Sequence, residues 1–205
     1  MITIVDYGMG NLGSIKNMFK YLGVESTIQS DVDKIKRASK ILLPGVGSFD
    51  TAMQKINRGD LREVLDEKAL KEQVPILGIC LGMQLLTKNS EEGEFDGLGW
   101  IDAKSISFKD RVDSQLKIPH MGWNIVRKNQ KSKLTEGFEL FDESRFYFVH
   151  SYFVRVEDEK NSILKTEYGV EFDSAIQKDN IFGVQFHPEK SHKFGMKLFE
   201  NFARI

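Results

Sequence analysis

The sequence predicts an α/β fold with a central, mostly parallel sheet flanked by helices, and an antiparallel β extension in the second half. Three observations carry this prediction. Short apolar segments such as Lys40–Leu43 and Val74–Ile79 are typical of strands buried on both faces. Helical patterns alternate with them through the first half, as in parallel sheets. Strand-like segments then crowd residues 100–186 with few helix signals between them, which indicates the antiparallel extension.

The elements of the first half follow from hydrophobic spacing and from the residues that end each pattern. Leu12, Ile15, Phe19 and Leu22 recur every three or four residues until Gly23, which indicates a helix. In chain order we predict strand Ile2–Val5, helix 12–22, strand Val24–Gln29, strand Lys40–Leu43, a helix with apolar positions Leu61, Val64, Leu65 and Leu70 and with Asp60 as N-cap, strand Val74–Ile79, and a helix from Met83.

In the second half, short β-branched and aromatic runs predict strands. They are Trp100–Phe108, Ile118–Val126, Phe146–Val154, Ile163–Tyr168, Ser174–Gln177 and Ile181–Phe186. At the end of the chain, apolar residues share one face of a predicted helix that packs on the sheet; they are Phe194, Leu198, Phe199, Phe202 and Ile205. The charged segment Ser105–Gln115 is expected to be a solvated connection.

Length and composition favour a single domain over residues 1–205 and exclude several classes of protein. With 29 basic and 30 acidic side chains, no overall positive field favours nucleic acid or an anionic membrane. A single cysteine excludes an intrachain disulfide and is typical of the reducing cytosol. No basic leader and no membrane-length apolar run is present, so we expect a soluble, cytoplasmic protein.

The first chemical motif is Gly78-Ile79-Cys80-Leu81-Gly82, placed where a predicted strand turns into a helix. This spacing has the form of a nucleophile elbow with cysteine in the serine position. The helix N-terminus favours a thiolate there, and the Leu81 N–H would face a developing oxyanion. An inert, buried core cysteine explains the same residues equally well.

A second motif, His187-Pro188-Glu189, follows the last apolar strand. Pro188 favours extended backbone at His187, so His187 and Glu189 fall on one side, and the carboxylate can orient an imidazole that activates the thiol. Alone, the motif could be a solvated turn. Strand ends at one edge of a parallel sheet are where such sheets place their sites, so the combination with Cys80 is more specific.

The remaining patterns are weaker. His120 and His150 lie in apolar β-like stretches and are expected to be structural, and His192 is expected at the surface or as a cap. The spacing of His187, Glu189 and His192 matches no familiar zinc motif, so we expect no metal site. The glycines of the first loop, Gly8, Gly10 and Gly13, fit the spacing of a dinucleotide fingerprint, but no acidic residue cleanly ends the second strand.

Six ordered blocks of sequence resemble the class I (triad-type) glutamine amidotransferases over essentially the whole chain. The cysteine and His-Pro-Glu blocks occur throughout that class. Two others, Pro119–Asn124 and Tyr147–Tyr152, are similar to the subunits that supply ammonia to a separate synthase in histidine biosynthesis. The blocks are Asp6–Asn11, Pro44–Phe49, Gly78–Leu86, Pro119–Asn124, Tyr147–Tyr152 and Gln185–Ser191. This resemblance displaces the dinucleotide interpretation of the first loop.

The resemblance implies a role for each matching residue. Cys80 is expected as the nucleophile, His187 as the base and then the acid, and Glu189 as its orienting partner. Gly45, Val46 and Gly47, with the Leu81 N–H, are expected to form the oxyanion hole. The expected glutamine-binding residues are Gln84, Glu92, Ser151 and Tyr152, with Glu92 on the α-ammonium. The expected partner interface consists of Asn11, Trp123, Tyr147 and Lys190.

In the implied reaction, Cys80 forms a glutamyl thioester, ammonia leaves, and water releases glutamate, with no metal or organic cofactor. The chain has no further residues for an ammonia acceptor, so the resemblance implies a (β/α)8-barrel synthase as partner. Three alternatives remain open: a paralogue serving a surface-polysaccharide sugar-modifying synthase, a free-standing cysteine hydrolase, and a binding module without activity.

Overall fold

A computed structural model describes all residues, Met1–Ile205. Helices and strands alternate through the first half. They are β1 (Ile2–Val5), α1 (Leu12–Tyr21), β2 (Ser26–Gln29), α2 (Val32–Lys36), β3 (Ile41–Gly45), α3 (Phe49–Ile56), α4 (Leu61–Asp66), β4 (Ile76–Cys80) and α5 (Leu81–Leu85).

The second half is mostly β structure and ends in a helix. Its elements are β5 (Asn89–Ser90), β6 (Ala103–Ser107), β7 (His120–Ile125), β8 (Arg127–Lys128), β9 (Arg145–His150), β10 (Tyr152–Val156), β11 (Ser162–Glu167), β12 (Glu171–Lys178), β13 (Ile181–Val184) and α6 (His192–Arg204). No helix in the structure is both long and apolar enough to span a lipid bilayer.

One large sheet has the order β2-β1-β3-β4-β13-β12-β10-β6-β5, with β11 and β8 attached beside β12. The pairs from β2 to β13 are parallel, and β12 and β10 continue the sheet antiparallel. Strands β7 and β9 form a separate antiparallel pair. The predicted fold class, a mostly parallel sheet with an antiparallel extension, is confirmed.

Apolar side chains on the two faces of the parallel strands enter two different cores. Leu43 and Ile76 pack with α3, α4 and α5 on one face, while Leu42, Leu77 and Ile79 pack with α1 and α6 on the other. Strand β4 is therefore buried along its whole length. This two-sided burial explains why its sequence shows no alternation of apolar and polar residues.

Some expected elements differ from the structure. Helix α4 ends at Asp66 and continues as a π-helical turn, Glu67–Lys71. The wider turn changes which side chains face inward, so that Ala69 is buried and Leu70 is 55% exposed instead of joining the core. Asp60 precedes α4, but its side chain makes no capping hydrogen bond.

Two further corrections concern connecting segments. Helix α3 was not predicted, although Phe49, Ala52, Met53 and Ile56 have helical spacing and are buried. The segment 105–115 is only partly a solvated connection, because residues 105–107 lie in β6 and Phe108 is fully buried among aromatic rings. The charged run Lys109-Asp110-Arg111 directly after Phe108 hides this single anchor in the sequence.

The turn from β4 into α5 packs so tightly against β3 that adding a single methyl group to Gly82 should destabilise the fold. A Cβ on Gly82 would lie 1.9 Å from the Leu43 carbonyl oxygen in β3. Gly82→Ala is therefore expected to lower the free energy of unfolding by about 3 kcal/mol, measured by urea titration. Gly13→Ala is the matched control, since its Cβ would meet nothing within 4 Å and alanine favours a helix. Equal stability of the two variants would contradict this packing.

Candidate functional site

A cavity of about 320 Å³ opens at the carboxyl ends of β3 and β4. The edge of a parallel sheet where strands end is the usual place for a site in this architecture. The cavity is lined by Val46, Gly47, Cys80, Leu81, Gln84, Glu92, Pro119, Val149, His150, Ser151, Tyr152 and His187. The cavity thus brings Cys80 and His187 together. It also contains Val46, Gly47 and Leu81 of the expected oxyanion hole, and all four residues expected to bind glutamine.

Cys80 lies in a strained turn at the end of β4. Its φ of 54° is in the left-handed region, which a non-glycine residue seldom adopts. Tight packing of the next turn against β3 holds this conformation and directs the thiol into the cavity, where Cys80 is 7% exposed. Leu81 is the first residue of α5, so its N–H has no partner within the helix.

His187 and Glu189 form a buried pair beside the cavity. Nδ1 of His187 lies 2.8 Å from Oε1 of Glu189, and the two side chains are 3% and 2% exposed. Glu189 thereby fixes Nδ1 as the donor and leaves Nε2 on the thiol side, without a hydrogen-bond partner in the resting site. Ser191 supports the turn, since its Oγ donates to the His187 carbonyl and accepts the Tyr147 N–H.

The charge state of His187 depends on opposing effects. Burial alone would lower its pKa, but Cys80 and the bonded Glu189 outweigh burial and raise the pKa of His187 well above its ordinary value. The imidazole is consequently held as an imidazolium near neutral pH. The sulfur of Cys80 therefore has a cationic neighbour.

The glycine-rich segment after β3 faces Cys80 across the cavity. Val46 and Gly47 line the cavity, their N–H groups have no partner in the protein, and Gly47 has a φ of 115°. Gly45 lies one step back, inside β3, where an added Cβ would be 2.8 Å from the Tyr7 hydroxyl oxygen. That hydroxyl donates to the Pro44 carbonyl and holds the start of the segment.

Glu92 lies at the other end of the cavity, on a loop that α3 holds in place. One Glu92 oxygen accepts the Phe49 N–H at the start of α3 at 3.2 Å, and Asp50 accepts the N–H groups of Glu94 and Phe95. Burial raises the pKa of Glu92, although the bond from Phe49 opposes the shift. A carboxylate in this position can bind a cation such as an ammonium group.

Gln84, Ser151 and Tyr152 complete this end of the cavity. Gln84 is buried, and its Nε2 donates to the Tyr152 carbonyl at 3.1 Å and to Gln185 Oε1 at 3.2 Å. Both N–H bonds of its amide are thus used inside the protein. Its Oε1 is the atom that remains for a ligand.

Two buried histidines lie behind Ser151 and Tyr152. His120 Nδ1 and His150 Nε2 are 2.9 Å apart, and His150 Nδ1 lies 2.8 Å from the Tyr152 carbonyl oxygen. Burial lowers the pKa of His120 to about 4, and burial with the neighbouring His120 lowers that of His150 to about 3. His120 is structural as expected, whereas His150 also lines the cavity.

Three of the four expected interface residues form one exposed cluster. The Trp123 and Tyr147 rings have centroids 6.4 Å apart, and Lys190 Nζ lies 5.6 Å from the Tyr147 ring centroid. His192 stacks on Trp123 at 5.5 Å, so it is a surface residue as expected. Asn11 is exposed, and its side chain caps α1 by accepting the Ser14 N–H.

Four residues at the site have contacts that sequence reasoning missed: Tyr7, Asp50, Gln185 and Ser191. Gln185 is fully buried, and its Nε2 lies 3.8 Å from the Cys80 sulfur. A buried amide two residues before His187 was the available signal, because buried polar groups require partners. The others act through loop and backbone contacts that no local pattern reveals.

Comparisons with known proteins agree on one family. The family model described as glutamine amidotransferase class-I matches residues 3–205. "Imidazole glycerol phosphate synthase subunit HisH 2" of Methanococcus maripaludis is 56% identical over 100% of this chain and 99% of the relative. The protein of the same description from Pseudomonas aeruginosa is 45% identical, with 100% of both chains covered. A solved glutamine amidotransferase with 15% identity has a TM-score of 0.76, with 100% of both chains covered, and supports the fold.

The buried histidine pair predicts a loss of stability in acid. In the unfolded chain, His120 and His150 bind protons near pH 6.5. In the folded protein, His120 does so only near pH 4 and His150 near pH 3. Between these values the unfolded state therefore binds more protons than the folded state. Stability should therefore fall as pH drops from 6.5 to 4, by up to about 1.4 kcal/mol per pH unit for each histidine.

Urea unfolding at several pH values measures this slope. His120→Phe removes one of the two titrations and should make the slope shallower than in the wild type. Identical slopes for the two proteins would contradict the neutral, buried state of His120.

Proposed function

The chain belongs to the class I glutamine amidotransferases, and we propose that it hydrolyses glutamine on Cys80 and delivers the ammonia to a separate synthase subunit. The observation that carries the proposal is that the strained Cys80, the carboxylate of Glu92 and His187 line one cavity, with Glu189 bonded to His187 beside it. The family match over residues 3–205 supports one amidotransferase domain spanning the chain.

In the first half-reaction, the Cys80 thiolate attacks the side-chain carbonyl carbon of glutamine and forms a C–S bond. The carbonyl oxygen becomes an oxyanion, for which the unpartnered N–H groups of Val46 and Gly47 and that of Leu81 are suitable donors. His187 gives its proton to the leaving nitrogen, the C–N bond breaks, and ammonia departs from a glutamyl thioester.

In the second half-reaction, neutral His187 takes a proton from water, which attacks the thioester. The C–S bond breaks, glutamate leaves, and the imidazolium–thiolate pair is restored. The raised pKa of His187 supports this order, in which the imidazole acts as acid first and base second. The proton that His187 donates is the one it takes from the Cys80 thiol when this pair forms, which is the role of base expected from sequence.

Substrate recognition follows from the charges at the far end of the cavity. Glu92 is placed to bind the α-ammonium of glutamine, and the backbone at Ser151 and Tyr152 to meet its α-carboxylate. The Gln84 amide oxygen is free for a further polar contact. The proposal thus assigns a fixed, charged orientation to the substrate.

The acceptor is proposed from the relatives and from the chemistry of ammonia. Relatives named as HisH subunits of imidazole glycerol phosphate synthase support a role in histidine biosynthesis, with a (β/α)8-barrel synthase as partner. Ammonia released into water is protonated and loses its nucleophilicity, so direct transfer within a complex is required. The exposed cluster of Trp123, Tyr147 and Lys190 has the aromatic and basic character that interfaces favour.

The nucleophile is tested by Cys80→Ala in the complex with the synthase subunit. Glutamate release should fall at least about 10³-fold, while complex formation persists, because a small thiol contributes little to packing. Glu189→Gln should retain part of the activity, since its role is orientation. Wild-type turnover by Cys80→Ala would refute the assignment, and full wild-type activity without the synthase would favour a free-standing hydrolase.

Substrate binding is tested by Glu92→Gln. Loss of a charge-assisted contact should raise KM for glutamine roughly 10- to 100-fold with a smaller effect on kcat. Glu91→Gln is the matched control, because the neighbouring Glu91 points to Arg111 and the Ser107 N–H outside the cavity. Equal KM values for the two variants would remove Glu92 from the glutamine site.

A further inference from the structure

Strand β7 has two faces with different partners. Its outward residues Met121, Trp123 and Ile125 are 61%, 47% and 37% exposed. The alternate residues, His120 and Asn124, face inward. One strand therefore carries an exposed apolar stripe on one side and, on the other, the buried His120 and the half-buried Asn124.

The inward side starts a chain of hydrogen bonds whose direction is fixed. The His150 Nδ1 must donate, because it meets the Tyr152 carbonyl oxygen at 2.8 Å, and its Nε2 therefore accepts. His120 Nδ1 must then donate to it at 2.9 Å, which leaves His120 Nε2 to accept from Asn124 Nδ2 at 3.2 Å. Each imidazole is thus held in one neutral tautomer.

The chain of hydrogen bonds continues from the Tyr152 carbonyl oxygen to the Cys80 sulfur. The same carbonyl oxygen accepts a second bond, from Gln84 Nε2, and the other N–H of that amide donates to Gln185 Oε1. The orientation of the Gln185 amide is thereby set, and its Nε2 is directed to the Cys80 sulfur at 3.8 Å.

The side chains in this chain of hydrogen bonds are too buried to form alternative hydrogen bonds easily. Gln185 is fully buried, and Gln84, His120 and His150 are each no more than 5% exposed. The His120 ring is also stacked between Phe148 and Tyr168, with centroids 4.8 and 4.1 Å away. A buried polar group that loses its partner in such surroundings shifts toward another one, so a change at one link displaces the next.

We infer that this chain of hydrogen bonds is a polar relay, which begins at strand β7 and positions the Gln185 amide against the Cys80 sulfur. The relay consists of Asn124, His120, His150, Gln84 and Gln185, joined through the Tyr152 carbonyl. Gln185 stabilises the thiolate by donating to it, and His120 and His150 are positioning residues that act through the relay. The inference rests on the proposed role of Cys80 as nucleophile.

A consequence concerns the partner. Whatever binds the outward stripe of β7 also contacts the strand that carries the first two links of the relay, His120 and Asn124. The relay is separate from the glycine segment at Val46 and Gly47, which lies across the cavity.

The test uses the only cysteine of the chain, which makes alkylation by iodoacetamide specific for Cys80. The pH dependence of the alkylation rate is measured for the full chain with His120→Phe, Gln185→Met and both changes. Gln185→Met should move the half-maximal rate to higher pH by roughly 0.5–1 unit, because a hydrogen bond to the thiolate is lost. His120→Phe, which preserves the ring stack, should cause a smaller shift in the same direction.

The double variant distinguishes the relay from two local effects. If His120 acts through Gln185, both changes together give the shift of Gln185→Met alone, whereas additive shifts would overturn the inference. A wild-type profile for a folded His120→Phe would overturn it as well. Where that variant fails to fold, Asn124→Leu removes the preceding donor from a less buried position.

A matched control separates positioning from general loss of stability. Asn201→Leu removes a buried amide that donates to the Leu134 and Glu136 carbonyls, outside the relay, and should leave the alkylation profile unchanged. A shift in this control equal to that of His120→Phe would count against the relay. Since alkylation needs no glutamine turnover, the outcome is independent of whether the proposed glutaminase activity is found.

Discussion

The close contact between the β4–α5 turn and the neighbouring strand β3 is the constraint on which the site depends. Only a residue without a side chain fits at Gly82, beneath the Leu43 carbonyl. This contact lets the chain turn sharply and holds Cys80 at a positive φ. Cys80 therefore derives its position from backbone packing in the buried sheet, and the other residues of the candidate site are arranged on neighbouring strand ends.

The arrangement of charged groups at this sheet edge offsets the cost of burying them. In the proposed reaction a thiolate, an imidazolium and a carboxylate lie within one small region, and each charge would be costly to bury alone. Their order, with His187 between Cys80 and Glu189, makes each neighbour opposite in charge. The neutral histidines on the other side of the cavity add polar contacts without adding a competing charge.

The sequence was most informative where a pattern is local. The apolar strands of the first half, the α1 and α6 faces and the spacing around Cys80 and His187 each follow from a few adjacent residues, and the structure has them at the expected places. The predicted strand Phe146–Val154, by contrast, is divided between β9 and β10, which lie in different sheets. Prediction failed where tertiary contacts decide. The π-helical turn that exposes Leu70, the Phe108 anchor and the contacts of Gln185 depend on residues distant in the chain, which no periodicity records.

The parallel pairing of β4 with β13 has a consequence for the order of folding. Gly78 pairs with Gly183, so the strand that carries Cys80 completes its hydrogen bonding with a segment more than a hundred residues later. During synthesis, Cys80 leaves the ribosome long before His187 and Glu189 exist. The thiol lacks its proposed imidazole partner during that interval, and the proposed triad is complete only once β13 lies between β4 and β12. The topology thus places completion of the proposed site at the end of chain synthesis.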